Sequence, residues 1–330
     1  MKNLSSPKED RLLDITLRPK KWQDYIGQEK IKKNIRVIVE AAKKRKDLSC
    51  EHMLLCGGSG LGKTTLARLI AEETGSNIKT TSGPAIERPG DLVALLTNLS
   101  QGDIFFIDEI HRLSKVCEEI IYPALEGYKV DIILGKGPMA RSMELSLPSF
   151  TLIGATTMPS SLSAPLRSRF GAIFHLDFYK EKEIEKIIKR SSKFLEMDID
   201  QEAIESIAKR SRLTPRIANR ILKRVRDFAE FKNQKRINKS FAEDALNFLG
   251  IDNLGLEAGD RKILEIIVNR FKGGPVGIQA LSSALGEEEK TILEMYEPYL
   301  VRSGLIERNP RGRVITSKAY NHIKKNSLDR

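Results

Sequence analysis

Apolar positions follow three successive rhythms along this chain. Between about residues 21 and 178, short apolar runs alternate with helical stretches, the pattern of a parallel sheet covered on both faces. The runs fall at 53–56, 77–80, 104–107, 151–154 and 173–176. From about 180 to 250 the apolar residues recur at helical spacing, predicting helices over 181–196, 200–210, 215–231 and 239–249. A linker at 253–259 follows. Beyond it, three helices at 260–271, 278–285 and 288–302 precede a strand–turn–strand over 305–316, turning at Asn309-Pro-Arg-Gly312. Three helices and a β-wing predict a winged helix.

These rhythms divide the chain into a polar N-terminal arm (1–20), an α/β domain built on a parallel sheet (21–179), a small helical domain (180–252) and a C-terminal winged-helix domain (253–330). Within the α/β domain, residues 128–147 read as a β-hairpin, with two alternating runs joined by Gly135-Lys-Gly-Pro138. Met143, Leu145 and Leu147 share one face of it. That face either packs on the parent domain or projects to dock a partner protein, and periodicity favours neither.

The chemistry begins where the first apolar run ends. Gly57 to Thr65 reads Gly-Gly-Ser-Gly-Leu-Gly-Lys-Thr-Thr, a match to the phosphate-loop pattern, placed between a strand and a helix. The glycines let backbone N–H groups turn inward around a triphosphate, and the helix N-terminus adds partial positive charge. Lys63 is placed to reach the β- and γ-phosphates of ATP, and the Thr64 hydroxyl to hold Mg²⁺. The third run ends in Asp108-Glu109. Asp108 suits Mg²⁺ through its water shell, and Glu109 suits the orientation of an attacking water. A pure nucleotide switch has less need of that second carboxylate, so the pair implies hydrolysis.

The chain has 330 residues, 40% of them hydrophobic, enough for several cored domains. A net charge of +12 favours an acidic partner, nucleic acid before an anionic membrane. The polar start MKNLSSPKEDRLLD is no secretory signal, and no apolar run approaches a membrane span. Cys50, Cys56 and Cys117 lack metal-ligand spacing and suit reduced thiols in the cytoplasm. His111, close behind the acidic pair, is assigned a surface or packing role. Arg308, Arg311 and Arg313 crowd the wing turn. Three cations there call for an anion, and phosphate contact without base readout suits movement along any sequence. A winged helix used for protein contact is the alternative.

Further boxes follow in order: Thr151-Leu-Ile-Gly-Ala-Thr-Thr157, Ser163-Ala-Pro-Leu-Arg-Ser-Arg169, and Leu213-Thr-Pro-Arg216-Ile-Ala-Asn-Arg220, where Thr214 caps a helix and Pro215 opens it. These resemble sensor 1, arginine-finger and sensor 2 of AAA+ ATPases. Arg18-Pro-Lys, Tyr25-Ile-Gly-Gln28, Thr80-Thr-Ser-Gly-Pro84, Asp108-Glu-Ile-His-Arg-Leu-Ser114, Val225-Arg-Asp-Phe-Ala229, Gly273-Gly-Pro-Val-Gly277 and Pro310-Arg-Gly-Arg313 narrow the resemblance to the RuvB family over nearly the whole chain. That family drives branch migration of Holliday junctions in recombination and DNA repair. The resemblance implies an AAA+ ATPase domain, a helical lid and a winged helix, assembled as a homohexameric ring around double-stranded DNA. ATP would lie between subunits, with the RuvA junction-binding protein and the RuvC resolvase as partners.

The resemblance also implies residue roles. Gly57, Gly60, Gly62, Lys63, Thr64 and Thr65 bind phosphates, with Mg²⁺ on Thr64 and Asp108. Leu17, Arg18, Glu126, Gly127, Tyr128 and Tyr179 belong to the nucleotide pocket, and Arg216 is sensor 2. Thr157, with Thr156, is sensor 1. Arg169 is the finger reaching a neighbour's γ-phosphate, while Arg167 is expected in a surface ion pair. It places RuvA on the hairpin face of Met143, Leu145 and Leu147. Two departures stand out: the family usually carries Gly-Pro-Pro-Gly at Gly57–Gly60, and a glycine at Leu213. Initiator-like AAA+ switches and clamp-loader subunits are the competing classes. The hairpin and the Thr-Pro-Arg-Ile-Ala-Asn-Arg box argue for the motor.

Overall fold

The computed structural model describes residues 16–47, 49–134 and 141–328. It divides into two compact units, residues 1–191 with 214–219, and residues 192–213 with 220–330. The predicted arm falls largely outside the described residues, as does the hairpin turn at 135–140. Leu17, assigned to the end of that arm, is instead buried.

The first unit opens with α1 (Glu29–Arg45), whose Ile31, Ile35, Val39 and Ala42 recur at helical spacing and are all buried. Then come β1 (Met53–Cys56), α2 (Lys63–Thr74), β2 (Ile78–Ser82), α3 (Pro89–Thr97), β3 (Ile104–Asp108) and α4 (Lys115–Gly127). The hairpin strands β4 (Lys129–Leu134) and β5 (Arg141–Ser146) precede β6 (Thr151–Thr156), the short helix α5 (Ala164–Ser168) and β7 (Ala172–His175). The sheet order is β2-β3-β6-β1-β7, with every pairing parallel. β1 and β6 are buried along their whole length, as central strands covered on both faces must be. β2, at the edge, is only half-buried.

Two strands run two residues further than the apolar pattern predicts. β6 continues to Thr156 and β2 to Ser82, because Cys56 and Asp108 supply their backbone partners. Ladder pairing, not side-chain apolarity, decides where a strand stops. The hairpin pairs Val130 with Leu145 and Ile132 with Met143.

The helix α6 (Glu181–Phe194) leads into the second unit, where β8 (Asp198–Ile199), α7 (Gln201–Arg210), the later turns of α8 (Pro215–Phe231), β9 (Arg236–Ile237) and α9 (Lys239–Phe248) form the lid. The winged helix contributes α10 (Ala258–Phe271) and α11 (Ile278–Leu285). Its third helix, α12, is interrupted: Glu289–Thr291, a π-helical turn at Ile292–Tyr296, then Glu297–Arg302. The interruption has a cause in Pro298, which has no N–H for the carbonyl four residues back, so the ladder changes register just before it. The wing is β10 (Ile306–Asn309) paired antiparallel with β11 (Gly312–Ile315). A closing helix, α13 (Ser317–Leu328), was not predicted; its apolar content is thin, yet Ala319 is fully buried and Ile323 packs on the same core.

Before α8 the backbone is left-handed at two consecutive residues, Arg212 (φ 54°) and Leu213 (φ 56°). Arg212 is held there by a buried ion pair with Asp260 and by stacking 4.7 Å from the Tyr299 ring. A leucine in this conformation costs roughly 1–2 kcal/mol, while a glycine costs about 0.4–1 kcal/mol through the freedom of the unfolded chain. Leu213→Gly is therefore expected to leave stability unchanged or raise it by up to about 1.5 kcal/mol. Leu213→Val should lower it, and a denaturant series on the three proteins checks that order.

Candidate functional site

At the carboxyl edge of the sheet, β1 ends in Cys56 and the chain turns through Gly57–Gly62 into α2. Gly60 (φ 79°) and Gly62 (φ 100°) take backbone angles that favour glycine. Each is also crowded: an added Cβ would meet the Arg216 Cβ at 2.8 Å, or the Tyr25 hydroxyl at 2.9 Å. No side chain caps α2, so its first-turn N–H groups, at Lys63, Thr64 and Thr65, face the loop as an anion site. Arg216 lies across the loop, its guanidinium 3.5 Å from the Ser59 hydroxyl.

Lys63 folds back over the loop and donates to the carbonyls of Gly57 (2.7 Å) and Gly58 (2.9 Å). Burial pulls its pKa down, and the carboxylates of Asp108 and Glu109 push it back. The Thr64 hydroxyl donates to Asp108 Oδ2 at 3.4 Å. A hydroxyl and a carboxylate oxygen at the foot of a phosphate loop are the donors a hard divalent cation takes, so Thr64 and Asp108 are the residues that would hold one.

Glu109 follows Asp108 with φ 48°, and its carboxylate pairs with Arg112 at 3.2 Å. Of the two sensor hydroxyls, Thr156 is fully buried and Thr157 exposed. Thr156 Oγ1 accepts the Met158 N–H at 3.0 Å and lies 3.0 Å from His111 Nδ1. Sequence reasoning gave His111 a surface or packing role. Its ring nitrogen belongs instead to this hydrogen-bond set, a contact with no sequence signature because it joins two strand ends.

Tyr179 and Tyr25 underlie the loop. The Tyr179 hydroxyl donates to the Leu61 carbonyl at 3.2 Å, and burial pushes its pKa up to about 12. Leu17 is buried, its carbonyl accepting from Arg190 at 3.1 Å, and Arg18 beside it is half-buried.

The remaining pocket residues form a separate cluster. Arg169, just past α5, pairs with Glu126 at 3.0 Å, donates to the Pro165 carbonyl at 2.7 Å and stacks 4.3 Å from the Tyr122 ring. Glu126 and Gly127 end α4, and Tyr128 packs on Phe150 with ring centroids 5.8 Å apart. All of these contacts lie outside the phosphate loop. The ion pair expected of Arg167 is therefore found at Arg169, which has a carboxylate one helix end away. Arg167 has no ion-pair partner among the described residues, and its charge is felt at Cys56, at the loop's start.

Two groups of predicted contact residues are unequal in exposure. In the wing, Arg308 and Arg313 sit opposite each other in the ladder and both bind Glu297, which is only 3% exposed. One anion for the crowded arginines is thus internal, shared by two of the three. Burial raises the pKa of Glu297, but the two guanidiniums outweigh it and hold the carboxyl below its ordinary value. Arg313 is turned inward, 13% exposed at its side chain. Arg311 stays outside at the turn, its N–H donating to Asn309 Oδ1. On the hairpin, Leu147 is buried with Val130 and Phe150, so it belongs to the domain core; Leu145 is half-buried against that core. Met143, nearer the turn, is 42% exposed.

Three family models match the chain in succession: the P-loop domain of the Holliday junction DNA helicase RuvB over 17–176, the RuvB AAA lid domain over 179–252, and the RuvB C-terminal winged helix domain over 253–324. Among solved structures, the Thermotoga maritima RuvB Holliday junction branch migration motor is 48% identical, with TM-score 0.85, over 94% of this chain and 98% of that one. A lysine-to-arginine variant of the same motor matches at 48% identity and TM-score 0.86, over 93% of this chain and 98% of that one. An arginine-to-alanine variant matches at 48% and 0.85, over 93% and 98%.

The wing geometry separates two arginines that look alike in sequence. Arg313→Ala leaves the buried Glu297 with one partner and is expected to cost about 2–4 kcal/mol of stability. Because the folded pKa of Glu297 is depressed, its contribution is present above the ordinary glutamate pKa and is lost as pH falls through the depressed value. Melting of wild type and Arg313→Ala should therefore converge in acid. Arg311→Ala should melt within about 0.5 kcal/mol of wild type yet reduce the salt slope of duplex binding by about one unit.

Proposed function

Because the chain belongs to the RuvB family of Holliday junction branch migration motors, we propose that it works as a homohexameric ring that completes each ATP site with an arginine from the neighbouring subunit. The chain is an ATP-hydrolysing DNA helicase acting on Holliday junctions. The observation that carries the ring reading is the place of Arg169. Its guanidinium is held by Glu126, Pro165 and Tyr122, away from the loop that carries Lys63. A cation presented in that way serves an adjoining site better than its own. Supplied across an interface, it stabilises transition-state charge and ties hydrolysis to assembly.

In the bound state, Lys63 exchanges the carbonyls of Gly57 and Gly58 for phosphate oxygens. The α2 N–H groups of Lys63, Thr64 and Thr65 bind the same phosphates, and Arg216 closes over them. Thr64 and Asp108 would hold Mg²⁺, which would supply charge neutralisation there. Glu109 leaves Arg112 to orient the attacking water, and Thr157 reports the γ-phosphate. Leu17, Arg18 and Tyr179 line the nucleotide pocket of the same chain, while Glu126, Gly127 and Tyr128 join Arg169 at the interface.

Duplex DNA is held by phosphate contacts from the wing, through Arg311 and the exposed part of Arg308. Glu287 and Glu288 lead into the third helix and Glu289 opens it; all three repel a phosphate backbone and support contact by the wing rather than by that helix. The exposed end of the hairpin around Met143 docks RuvA, and RuvC joins the larger complex. The protein acts in the cytoplasm; among the described residues no helix is long and apolar enough to cross a membrane.

Arg169→Ala should bind ATP without hydrolysing it, and Lys63→Ala should bind none. Mixed rings of the two variants are expected to regain part of the turnover at interfaces that unite an intact loop with an intact arginine. Mixed rings without any recovered ATPase activity would refute the assignment in trans. Met143→Asp should weaken RuvA capture at least tenfold in a pull-down titration while leaving basal ATP turnover unchanged; unaltered capture would place the RuvA surface elsewhere.

A further inference from the structure

Glu109 and Thr157 must act on one small region, the γ-phosphate and the water that attacks it, yet they come from different strands. β3 carries Glu109 and β6 carries Thr157, and both side chains lie just past their strand ends. Backbone pairing in the ladder ends before either is reached: the last matched residues of this pair are Ile107 and Gly154. Something beyond the ladder must set their separation.

The turn after Glu109 provides it. Residues Ile110–Arg112 form a single 3-10 turn that lies along β6. Ile110 is fully buried, and its Cδ1 comes so near Gly154 that an added Cβ there would meet it at 3.1 Å. Two residues along, on the same face of the strand, Thr156 receives His111: Nδ1 and Oγ1 are 3.0 Å apart. From the other side, Gly83 presses on the turn so closely that a Cβ would fall 2.4 Å from the Glu109 carbonyl. The Glu109 backbone is thereby confined with φ 48°.

Thr156 is a junction of three functional elements. Its carbonyl accepts the Gly57 N–H at 3.0 Å, at the first residue of the phosphate loop. Its hydroxyl accepts the Met158 N–H at 3.0 Å, which folds the chain around Thr157. The same hydroxyl meets His111, two residues beyond Glu109. It is fully buried, so no water competes for these bonds.

We infer that His111 is a positioning residue for ATP hydrolysis, which through its hydrogen bond to Thr156 sets Thr157 in register with Glu109. His111 is assigned to act through Thr156. It fixes the distance between Thr157 and Glu109. The inference rests on the roles proposed above for Glu109 and Thr157.

The test is steady-state ATP hydrolysis, nucleotide affinity and thermal melting of the full-length protein. The variants are His111→Ala, Thr156→Val, their combination, His111→Asn and Thr156→Ser. Small misplacements of catalytic groups lower turnover steeply, so each of the first two should lose about tenfold in kcat with KM and nucleotide affinity within about twofold of wild type. The double variant should lose no more than either single one, since both remove one bond. His111→Asn places an amide atom where Nδ1 stands, and Thr156→Ser keeps the hydroxyl; both should recover most of kcat. Wild-type kcat in His111→Ala, or losses that multiply in the double variant, would overturn the inference. If Thr156→Val melts early, the comparison of His111→Ala with His111→Asn still decides it. Glu109→Gln and Thr157→Val belong in the same assay: full turnover in both would mean that the assigned catalytic roles are wrong, whereas their loss beside an active His111→Ala would fault the positioning role alone.

Discussion

Parallel pairing of β6 with β1 on one side and β3 on the other is the constraint on which the ATPase site depends. It brings the carboxyl ends of three strands side by side, and each end carries one part of the proposed chemistry: Cys56 leads into the phosphate loop, Asp108 ends β3 with Glu109 just past it, and Thr156 ends β6 with Thr157 just past it. Ligands in open parallel sheets bind at that edge because the loops diverge there. A one-residue slip of β6 against both neighbours would move Thr156 off both Gly57 and His111. The small Gly154 in the middle of β6, with Phe170, Ile110 and Leu54 each within about 3 Å of a notional Cβ, holds the register by close packing.

Charge is managed by a different rule. The chain carries 56 basic side chains against 44 acidic ones, yet several conspicuous arginines are spent internally. Arg313 and Arg308 satisfy the buried Glu297; Arg212 satisfies Asp260, whose pKa burial raises and the guanidinium pulls back; Arg169 rests on Glu126. A buried carboxylate left alone would be costly, so Glu297 and Asp260 each draw a guanidinium from the surface, whereas Glu126 meets Arg169 while itself exposed. Positive net charge still leaves the whole protein suited to an anionic polymer, and in the wing Arg311 and the exposed part of Arg308 are the cations proposed to meet it.

The two departures from the family pattern differ in physical consequence. Gly58 and Ser59 replace a pair of prolines in the loop, but the glycines at both ends, Lys63 and the uncapped helix remain. Leu213 stands in left-handed backbone where glycine is the unstrained residue. The buried Arg212–Asp260 pair beside it supplies the tertiary contact that keeps this turn in place.

Local chemistry made much of the protein legible in the sequence. The phosphate loop, the acidic pair, the succession of domains and helices such as Pro215–Phe231 and Ile278–Leu285 follow from periodicity, capping and glycine placement, which act over a few residues. The sequence likewise marked Lys63, Thr64, Asp108 and Arg216 as one group, and the structure gathers them at one loop. What only the tertiary structure decided are matters of direction and distance between segments far apart in the chain. Arg313 faces inward because Glu297, sixteen residues earlier, is buried beneath it. Leu147 joins the core while Met143 on the same strand face does not, because the domain ends between them. His111 reaches Thr156 across 45 residues of chain. Alternation and motif spacing fix which face a side chain occupies, but whether that face meets core, solvent or another strand end depends on packing that no local pattern encodes.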